Sequence, residues 1–311
     1  MRLIFMGTPE SAVPTLRRCV EAGHEVVAVW TQPDRPAGRG KHLRASPVKE
    51  FALAGGLAVY QPAKIKTPEA LELFRSHGAE AAVVVAYGRI LPAPFLRAPR
   101  RGCLNVHFSL LPKYRGAAPV NWAVVRGERV SGVTTMLIDE GLDTGAVLLQ
   151  RETPVGERET APQLLERLSH LGADLLAETL ARLDDIEPRP QDDAAATHAP
   201  ILKREDGLID WTLAAVEIDR RVRGFQPWPN AYTSYMGRRL VVWSAEPSDN
   251  AAPAGAAPGE IISARGDALA VACGGATALR LAEVQLEGKQ RMSARDFING
   301  TRVAAGARLG K

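Results

Sequence analysis

Residues 102–145 contain polar side chains whose types and spacing suit chemistry on a carbonyl group. Asn105 and His107 stand two positions apart in an apolar run, and alternate residues of a strand share one face, so the amide and the imidazole should lie side by side. Asp139 and Asp143 follow in a glycine-rich turn, and either carboxylate could approach the imidazole. No serine or cysteine nucleophile stands out beside them. The set favours direct transfer to an incoming nucleophile, with the amide and the imidazole stabilising an oxyanion and a carboxylate orienting the imidazole.

Two strands and their turns must position these side chains. Residues 102–107 have the apolar character of a buried strand, which ends in the segment 109–112 because proline supplies no backbone donor. Residues 133–138 predict another strand, and residues 139–145 predict the turn that follows it. The polar pair should therefore lie at the C-terminal end of a strand, which is where open α/β sheets bind ligands.

The first part of the chain has the pattern of an α/β fold. A strand at residues 2–6, an amphipathic helix and a strand at residues 24–30 make a βαβ unit, whose crossover should be right-handed. The uninterrupted apolar run at residues 81–86 is typical of a central parallel strand that is buried on both faces. Leucines recur at helical spacing over residues 161–183, which predicts a helix covering the sheet. We predict a Rossmann-like, mostly parallel sheet domain over residues 1–186.

The first turn of this domain argues against a nicotinamide cofactor. A dinucleotide fingerprint needs three glycines between the first strand and the first helix, and the chain has Gly7 alone there. The second strand should then end in an acidic residue that holds the ribose, but Trp30, Thr31 and Gln32 stand at that place.

Residues 187–311 have a different sequence pattern. Residues 187–204 are rich in proline, alanine and acidic residues with little apolar periodicity, which predicts a linker. Residues 205–311 predict a helix followed by about five short strands with turn signals between them, the pattern of a small OB-like β-barrel. The domain organisation expected from the sequence is therefore 1–186, 187–204 and 205–311.

Composition narrows the class of protein. The 311 residues are 46% hydrophobic and 24% charged, and no run of about 18 apolar residues could span a bilayer. Cys19, Cys103 and Cys273 are far apart and form neither a metal-binding spacing nor an even disulfide set, so we expect reduced thiols, no metal and a cytoplasmic protein. The net charge of +4 permits a polyanionic partner without requiring one.

The order of residues around His107 also resembles a known family. The stretch NVHFSLLPKYRGAAPVNW followed by GLDTG closely resembles the signature of the transferases that use 10-formyltetrahydrofolate, although Phe108 stands where that family more often has glycine or alanine. The resemblance implies formyl transfer to an amine without a metal, and a pterin pocket whose wall includes residues 87–92. It implies catalytic roles for Asn105, His107 and Asp143, and folate contacts for Ser109, Leu110, Leu111 and Pro112.

A long basic loop extends the resemblance. The stretch QPDRPAGRGK, within residues 32–46, resembles the loop that one branch of the family places against the acceptor end of initiator methionyl-tRNA. By charge alone a solvated loop is at least as common as a binding loop. The resemblance implies tRNA contacts from Arg39, Lys41 and Arg44 and from the C-terminal domain, in which FQPWP is a further likeness. It implies formylation of the α-amine of methionyl initiator tRNA for translation initiation. We expect the protein to be a monomer.

Three other functions remain open from the sequence. A formyltransferase of the same core could act on a small amine, such as a ribonucleotide or an amino sugar, although a ribonucleotide enzyme would need only the first domain. A nucleic-acid-binding protein could retain a vestigial catalytic fold, although Asn105, His107 and Asp143 argue against it. The same site could also pass the formyl group to water.

Overall fold

The structure is a computed structural model that describes residues 1–37 and 42–310. Its contacts divide the chain into two compact units. The first unit consists of Met1–Pro119, Val130–Pro154 and Leu165–Ala199. The second unit consists of Val120–Arg129, Val155–Leu164 and Pro200 onward. Within the described ranges, no helix has the length and apolar composition needed to cross a membrane.

Eleven strands and six α-helices lie in the described residues up to residue 199. The strands are β1 (Arg2–Gly7), β2 (Glu25–Trp30), β3 (Arg35–Ala37), β4 (His42–Arg44), β5 (Val59–Tyr60), β6 (Ala81–Val85), β7 (Cys103–His107), β8 (Arg115–Gly116), β9 (Val130–Leu137), β10 (Val147–Pro154) and β11 (His198–Ala199). The helices are α1 (Val13–Glu21), α2 (Pro47–Ala54), α3 (Pro68–Ser76), α4 (Ala93–Leu96), α5 (Pro119–Arg126) and α6 (Ala161–Ala181).

The main sheet of the first unit has the strand order β10-β9-β7-β6-β1-β2-β5. Strands β5, β2, β1, β6 and β7 run parallel to one another, whereas β9 runs antiparallel to β7 and β10 antiparallel to β9. Strand β6 is buried along its whole length, as its apolar run predicts. The predicted mostly parallel α/β sheet is confirmed.

Two helices of this unit begin with a capping hydroxyl followed by proline. The hydroxyl of Ser46 accepts a hydrogen bond from the backbone N–H of Lys49 at 3.1 Å, and α2 then has proline at its first position. The hydroxyl of Thr67 caps α3 in the same way, accepting from the N–H of Ala70 at 3.2 Å. Both caps satisfy a backbone donor that the first turn of a helix leaves unpaired.

Helix α6 covers one face of the sheet at β7 and β9. A Cβ atom at Gly172 would lie 2.8 Å from Val106 Cγ1 and 3.2 Å from Val133 Cγ1, so this helix approaches β7 and β9 closely. Val106 points to the face opposite that of Asn105 and His107, because side chains alternate along a strand. The polar pair therefore faces away from α6.

Part of the predicted linker is structured. Strand β11 pairs in parallel with β8, with His198 opposite Arg115 and Ala199 opposite Gly116. The contacts assign residues up to Ala199 to the first unit. A ladder of two residues has no apolar periodicity, so the sequence contains no signal for it. The predicted boundaries at residues 187 and 205 stay a prediction.

The second unit is built around an antiparallel sheet. Its elements from residue 200 onward are α7 (Ala215–Gly224), β12 (Ala231–Tyr235), β13 (Arg238–Pro247), β14 (Ile261–Arg265), β15 (Ala268–Ala272), β16 (Ala278–Leu286), β17 (Met292–Ser293) and α8 (Ala294–Thr301). The strand order is β12-β13-β16-β15-β14, and β17 pairs with β16. Ile218, Leu281 and Phe297 are fully buried in its core. The predicted C-terminal domain of short strands is confirmed, and the structure shows that its sheet is antiparallel. Helix α8 is an element that the sequence reasoning missed.

Candidate active site

A cavity of about 350 Å³ opens in the first unit beside the C-terminal ends of β6 and β7. Its polar lining includes Asn105, His107, Asp139 and Asp143. Its other walls are mostly apolar and come from Val84, from residues 86–91 and from Val106, Phe108, Ala117, Pro119, Met136, Ile138 and Leu142. The structure thus brings the amide, the imidazole and the carboxylates of the sequence prediction to one cavity.

The orientation of the His107 imidazole is fixed by a backbone carbonyl. The ring is buried, and its Nε2 lies 2.9 Å from the carbonyl oxygen of Tyr114. A carbonyl oxygen only accepts hydrogen bonds, so Nε2 is the protonated nitrogen in this contact. Nδ1 is therefore the nitrogen that remains available to a substrate or to Asp143. Tyr114 presents its carbonyl from a left-handed conformation with φ of 63°.

Asp143, rather than Asp139, lies beside this imidazole. Asp143 Oδ2 is 3.8 Å from His107 Nδ1, a distance longer than a hydrogen bond, and it accepts a hydrogen bond of 2.8 Å from the N–H of Gly116. Asp139 stabilises its own turn, because its Oδ1 accepts from the N–H of Gly141 at 3.0 Å and from the hydroxyl of Thr144 at 2.7 Å. The structure thus separates two carboxylates that the sequence left as alternatives.

Asn105 completes the polar set. It is half-buried on β7, where Val84 of β6 and Met136 of β9 are its neighbours across the sheet. Within residues 1–37 and 42–310 its side chain has no hydrogen-bond partner, although it lines the cavity. Its NH₂ group is therefore available to donate to an oxygen atom of a bound molecule.

The loop that carries Asp143 reaches the imidazole by an indirect route. Because β9 is antiparallel to β7, its end at Leu137 lies opposite Leu104, near the start of β7, while Thr134 lies opposite His107. The turn after β9 must therefore return along the sheet toward the end of β7. Asp143 adopts a left-handed conformation with φ of 54° in this turn.

The four predicted folate residues have other partners in the structure. The hydroxyl of Ser109 donates to the carbonyl oxygen of Lys113 at 2.6 Å, and Leu111 packs in a buried cluster with Met136 and Val147. The cavity described above is lined by Phe108 but not by residues 109–112. The folate contacts of Ser109, Leu110, Leu111 and Pro112 stay a prediction.

The structure also shows the environment of Phe108, the residue after His107 that differs from the family pattern. Its side chain is buried, and its Cε1 would be 3.5 Å from a Cβ atom at Gly172 of α6. The ring therefore extends toward the helix, while the residue still borders the cavity.

The predicted tRNA-contacting residues are only partly described. Arg39 and Lys41 lie outside the described residues, and Arg44 is exposed at the end of β4, opposite Arg35 of β3. Arg35 and Arg44 line a second cavity of about 740 Å³, which shares residues 86–88 with the first.

A hydrogen-bonded network holds Asp34 at the start of the basic loop. Lys49 Nζ lies 2.6 Å from Asp34 Oδ2, and Gln61 Nε2 donates to Asp34 Oδ1 at 2.7 Å. The hydrogen bond from Lys49 lowers the pKa of Asp34, so its carboxylate stays ionised.

The cysteines and Tyr87 show no sign of catalytic activation. Burial raises the pKa of Cys19, Cys103 and Cys273 to about 12, and all three are free thiols. Burial also raises the pKa of Tyr87 to about 12. A thiol needs a lowered pKa to act as a nucleophile near neutral pH, so the raised pKa values argue against a nucleophilic role for these cysteines.

Two family descriptions together match most of the chain. Residues 1–180 match the family described as formyl transferase, and residues 201–302 match the formyl transferase C-terminal domain. The methionyl-tRNA formyltransferase of Solibacter usitatus (strain Ellin6076) is 53% identical over 313 residues, covering 100% of this chain and 99% of that protein. The methionyl-tRNA formyltransferase of Citrifermentans bemidjiense is 50% identical, covering 100% of this chain and 97% of that protein.

Solved structures share the fold at low sequence identity. HypX from Aquifex aeolicus in complex with tetrahydrofolic acid superposes with a TM-score of 0.65 at 16% identity, covering 98% of this chain and 48% of that chain. The N-formyltransferase from Helicobacter canadensis, in complex with folinic acid and dTDP-3-aminofucose, superposes with a TM-score of 0.66 at 17% identity, covering 90% of this chain and 98% of that chain. From the full-length relatives and the matching domains, this chain belongs to the formyltransferase family, among the methionyl-tRNA formyltransferases.

Proposed function

We propose that this chain transfers the formyl group of 10-formyltetrahydrofolate to the α-amine of methionine esterified to initiator tRNA. The observation that carries the proposal is the cavity into which Asn105 and His107 both face, with the carboxylate of Asp143 3.8 Å from the imidazole. The names of relatives that are about half identical over the full chain support the choice of acceptor. The product would be formylmethionyl initiator tRNA, which is used in translation initiation.

The reaction needs no covalent bond to the enzyme. The acceptor amine attacks the formyl carbon, forming the new C–N bond while negative charge develops on the formyl oxygen. The bond from that carbon to N10 of the folate then breaks, the amine loses a proton and N10 gains one. A free α-amine has a pKa of about 7.7 to 8.0, and an esterified amino acid has a lower one, so neutral amine is present near pH 7.

Asn105 and His107 supply the stabilisation of charge in this scheme. The NH₂ group of Asn105 has no competing partner among the described residues and donates to the developing oxyanion. His107 Nε2 is engaged with Tyr114, so Nδ1 is the nitrogen that takes the amine proton and then donates to the same oxygen. Asp143, held by Gly116, stabilises the positive charge that reaches the ring in the transition state.

The walls of the cavity suit a flat heterocycle with a polar edge. Ile90 is 69% exposed and Leu142 is 59% exposed, although both line the cavity, so they offer apolar surface that a bound ring would cover. We propose that the pterin ring of the folate lies between these walls and that residues 109–112 contribute further folate contacts.

The basic loop and the second unit are proposed to bind the tRNA. Arg39, Lys41 and Arg44 would contact phosphates and bases of the acceptor stem, and positive charge supplies most of the affinity for a nucleic-acid backbone. We propose in addition that residues 1–186 and 205–311 act as catalytic and tRNA-binding domains, and that the enzyme is a cytoplasmic monomer.

Replacing Arg39 by alanine tests the loop assignment. We expect the KM for methionyl initiator tRNA to rise about tenfold or more, since a hydrogen bond to a charged group contributes about 1.5–3 kcal/mol. The slope of log affinity against log salt should become about one unit shallower. Steady-state kinetics at several salt concentrations measures both effects.

The matched control for that change is Arg75→Ala, because Arg75 is exposed on α3 far from the loop in sequence. Folate affinity should be unchanged in both variants. Equal loss of tRNA use and folate binding in Arg39→Ala would refute the assigned role.

Gly116 offers a second test, because this glycine supplies the N–H that holds Asp143. Its φ is 126°, and a Cβ atom would lie 2.5 Å from the carbonyl oxygen of Ala199, which is backbone and cannot move aside easily. Gly116→Ala should lower kcat about a hundredfold, the loss that a displacement of about 1 Å can cause. Gly300→Ala in α8 is the control, since a Cβ atom there meets nothing within 4 Å. Equal kcat for the two variants would show that Gly116 does not position the carboxylate.

A panel of acceptors tests the proposed function itself. The enzyme is incubated with 10-formyltetrahydrofolate and, in separate reactions, methionyl initiator tRNA, free methionine, an amino sugar nucleotide, glycinamide ribonucleotide or water alone. We expect formyl-methionyl-tRNA as the dominant product by mass spectrometry. A faster reaction with any small amine, or with water, would overturn the choice of acceptor.

A further inference from the structure

Gln191, in the segment that the sequence predicts as a linker, contacts the loop that carries Asp143. Its Nε2 donates to two backbone carbonyls, that of Asp143 at 2.8 Å and that of Gly145 at 2.8 Å. Its Oε1 accepts a hydrogen bond of 2.9 Å from Nε of Arg115. Both hydrogens of the amide and its oxygen are therefore used in holding parts of the site.

Arg115 fixes the orientation of this amide. The Arg115 side chain is buried, and besides Gln191 it contacts Asp193 Oδ1 at 2.8 Å. A guanidinium group only donates, so the oxygen of the Gln191 amide must face it and the NH₂ group must face the carbonyls of the loop. The direction of the amide is thus determined by its neighbours, and the two donated hydrogen bonds follow from it.

The loop requires such support because its conformation is not the one an isolated chain prefers. Asp143 has a φ of 54°, a left-handed conformation that residues with a Cβ atom adopt less readily than glycine does. The carboxylate reaches the imidazole only while this turn is maintained, since it approaches from the far end of β9. Two hydrogen bonds to carbonyls two positions apart restrict the turn on both sides of Thr144.

We propose that Gln191 is a positioning residue, which holds the loop so that the carboxylate of Asp143 lies beside the imidazole of His107. The proposal rests on the function proposed above. Gln191 itself does not line the cavity with His107, so it acts through Asp143 and not on the substrate. The predicted linker then contains part of the structure on which catalysis depends.

The same segment also holds the other side of the imidazole. The hydroxyl of Thr197 accepts a hydrogen bond of 2.9 Å from the N–H of Tyr114, and the carbonyl of Tyr114 accepts the one from His107 Nε2. The N–H of Arg115 donates to the carbonyl of Thr197 at 2.9 Å. Residues 191–197 therefore support both Tyr114, which is the partner of Nε2, and the loop of Asp143, which lies beside Nδ1.

Two substitutions at Gln191 separate positioning from general packing. Gln191→Glu keeps the shape and the acceptor for Arg115, but it replaces the NH₂ group with an oxygen that cannot donate to the loop carbonyls. Gln191→Met keeps the length of the side chain and removes both the acceptor for Arg115 and the donor to the loop carbonyls. We expect each to lower kcat at least tenfold while the KM for tRNA and the affinity for tetrahydrofolate change less than twofold. Glu166→Gln, which makes the reverse exchange at an exposed position of α6 in the first unit, is the control.

A double-mutant cycle with Asp143→Asn identifies the route of the effect. If Gln191 acts through the carboxylate, then Gln191→Glu should cause little further loss of kcat in the Asp143→Asn background, because the group that it positions is already gone. A loss of the same size in both backgrounds would overturn the proposal, as would a kcat within twofold of wild type for either Gln191 variant.

Crystal structures of the wild type and of Gln191→Glu give a readout that does not depend on activity. We expect Asp143 Oδ2 to stay near His107 Nδ1 in the wild type and to move by about 1 Å or more in the variant. An unmoved carboxylate would contradict the proposal. A wild-type enzyme that formylates no methionyl-tRNA would instead refute the proposed function, and these structures would still decide the role of Gln191.

Discussion

Replacing His107 by alanine should lower kcat about a thousandfold or more while folate affinity stays near that of the wild type. The imidazole is the group in the cavity that can both take the amine proton and donate to the oxyanion, and proton transfer by a positioned side chain contributes about 10²–10⁴-fold. Its ring is oriented by the contact between Nε2 and the carbonyl oxygen of Tyr114. Single-turnover formylation of methionyl initiator tRNA measures the chemical step directly.

The control for this change is His170→Ala, because His170 is exposed on α6. We expect that variant to keep the wild-type rate. If His107→Ala lowered tRNA and folate affinity but left the single-turnover rate unchanged at saturation, then the imidazole would bind substrates and would have no part in the chemical step.

Replacing Asn105 by alanine should lower kcat about 10²–10³-fold, the effect of removing one donor to an oxyanion. The amide has no hydrogen bond to another described residue that its removal would break, so the fold should tolerate the change. The loss should appear equally in kcat and in kcat/KM, because the interaction exists only when charge develops on the formyl oxygen. Steady-state kinetics with both substrates varied measures it.

Asn250→Ala, at an exposed position in the second unit, provides the matched asparagine control. A comparable loss in both variants would point to a defect in folding. A rise in KM alone for Asn105→Ala would assign the amide to substrate binding and remove it from the transition state.

The sequence predicts the polar pair because its evidence is local. Asn105 and His107 belong to one strand, and the alternation of side chains places both on the face opposite Val106 whatever the rest of the fold does. The structure has both on the wall of one cavity. The evidence for the neighbouring apolar strand, β6, is equally local, since a continuous apolar run is enough to predict it.

The position of the carboxylate depends on information that is not local. The choice between Asp139 and Asp143 follows from the antiparallel direction of β9 and from the return of its turn along the sheet. That path is maintained by Gly116 and Gln191, which are distant from each other in the chain. The contacts of Gln191 are single hydrogen bonds, which leave no apolar pattern in the sequence. The sequence of this segment therefore shows only the composition of a linker.

Transfer of an isotopically labelled formyl group, followed in a single turnover, tests the central claim most directly. Enzyme in excess over 10-[¹³C]formyltetrahydrofolate is mixed with methionyl initiator tRNA, for the wild type and for the Asn105→Ala/His107→Ala double variant. The account predicts label on the α-amino nitrogen of methionine with the wild type, and a rate lower by more than about a thousandfold with the double variant. Label released as free formate by the wild type, or equal labelling of the tRNA by both proteins, would contradict it.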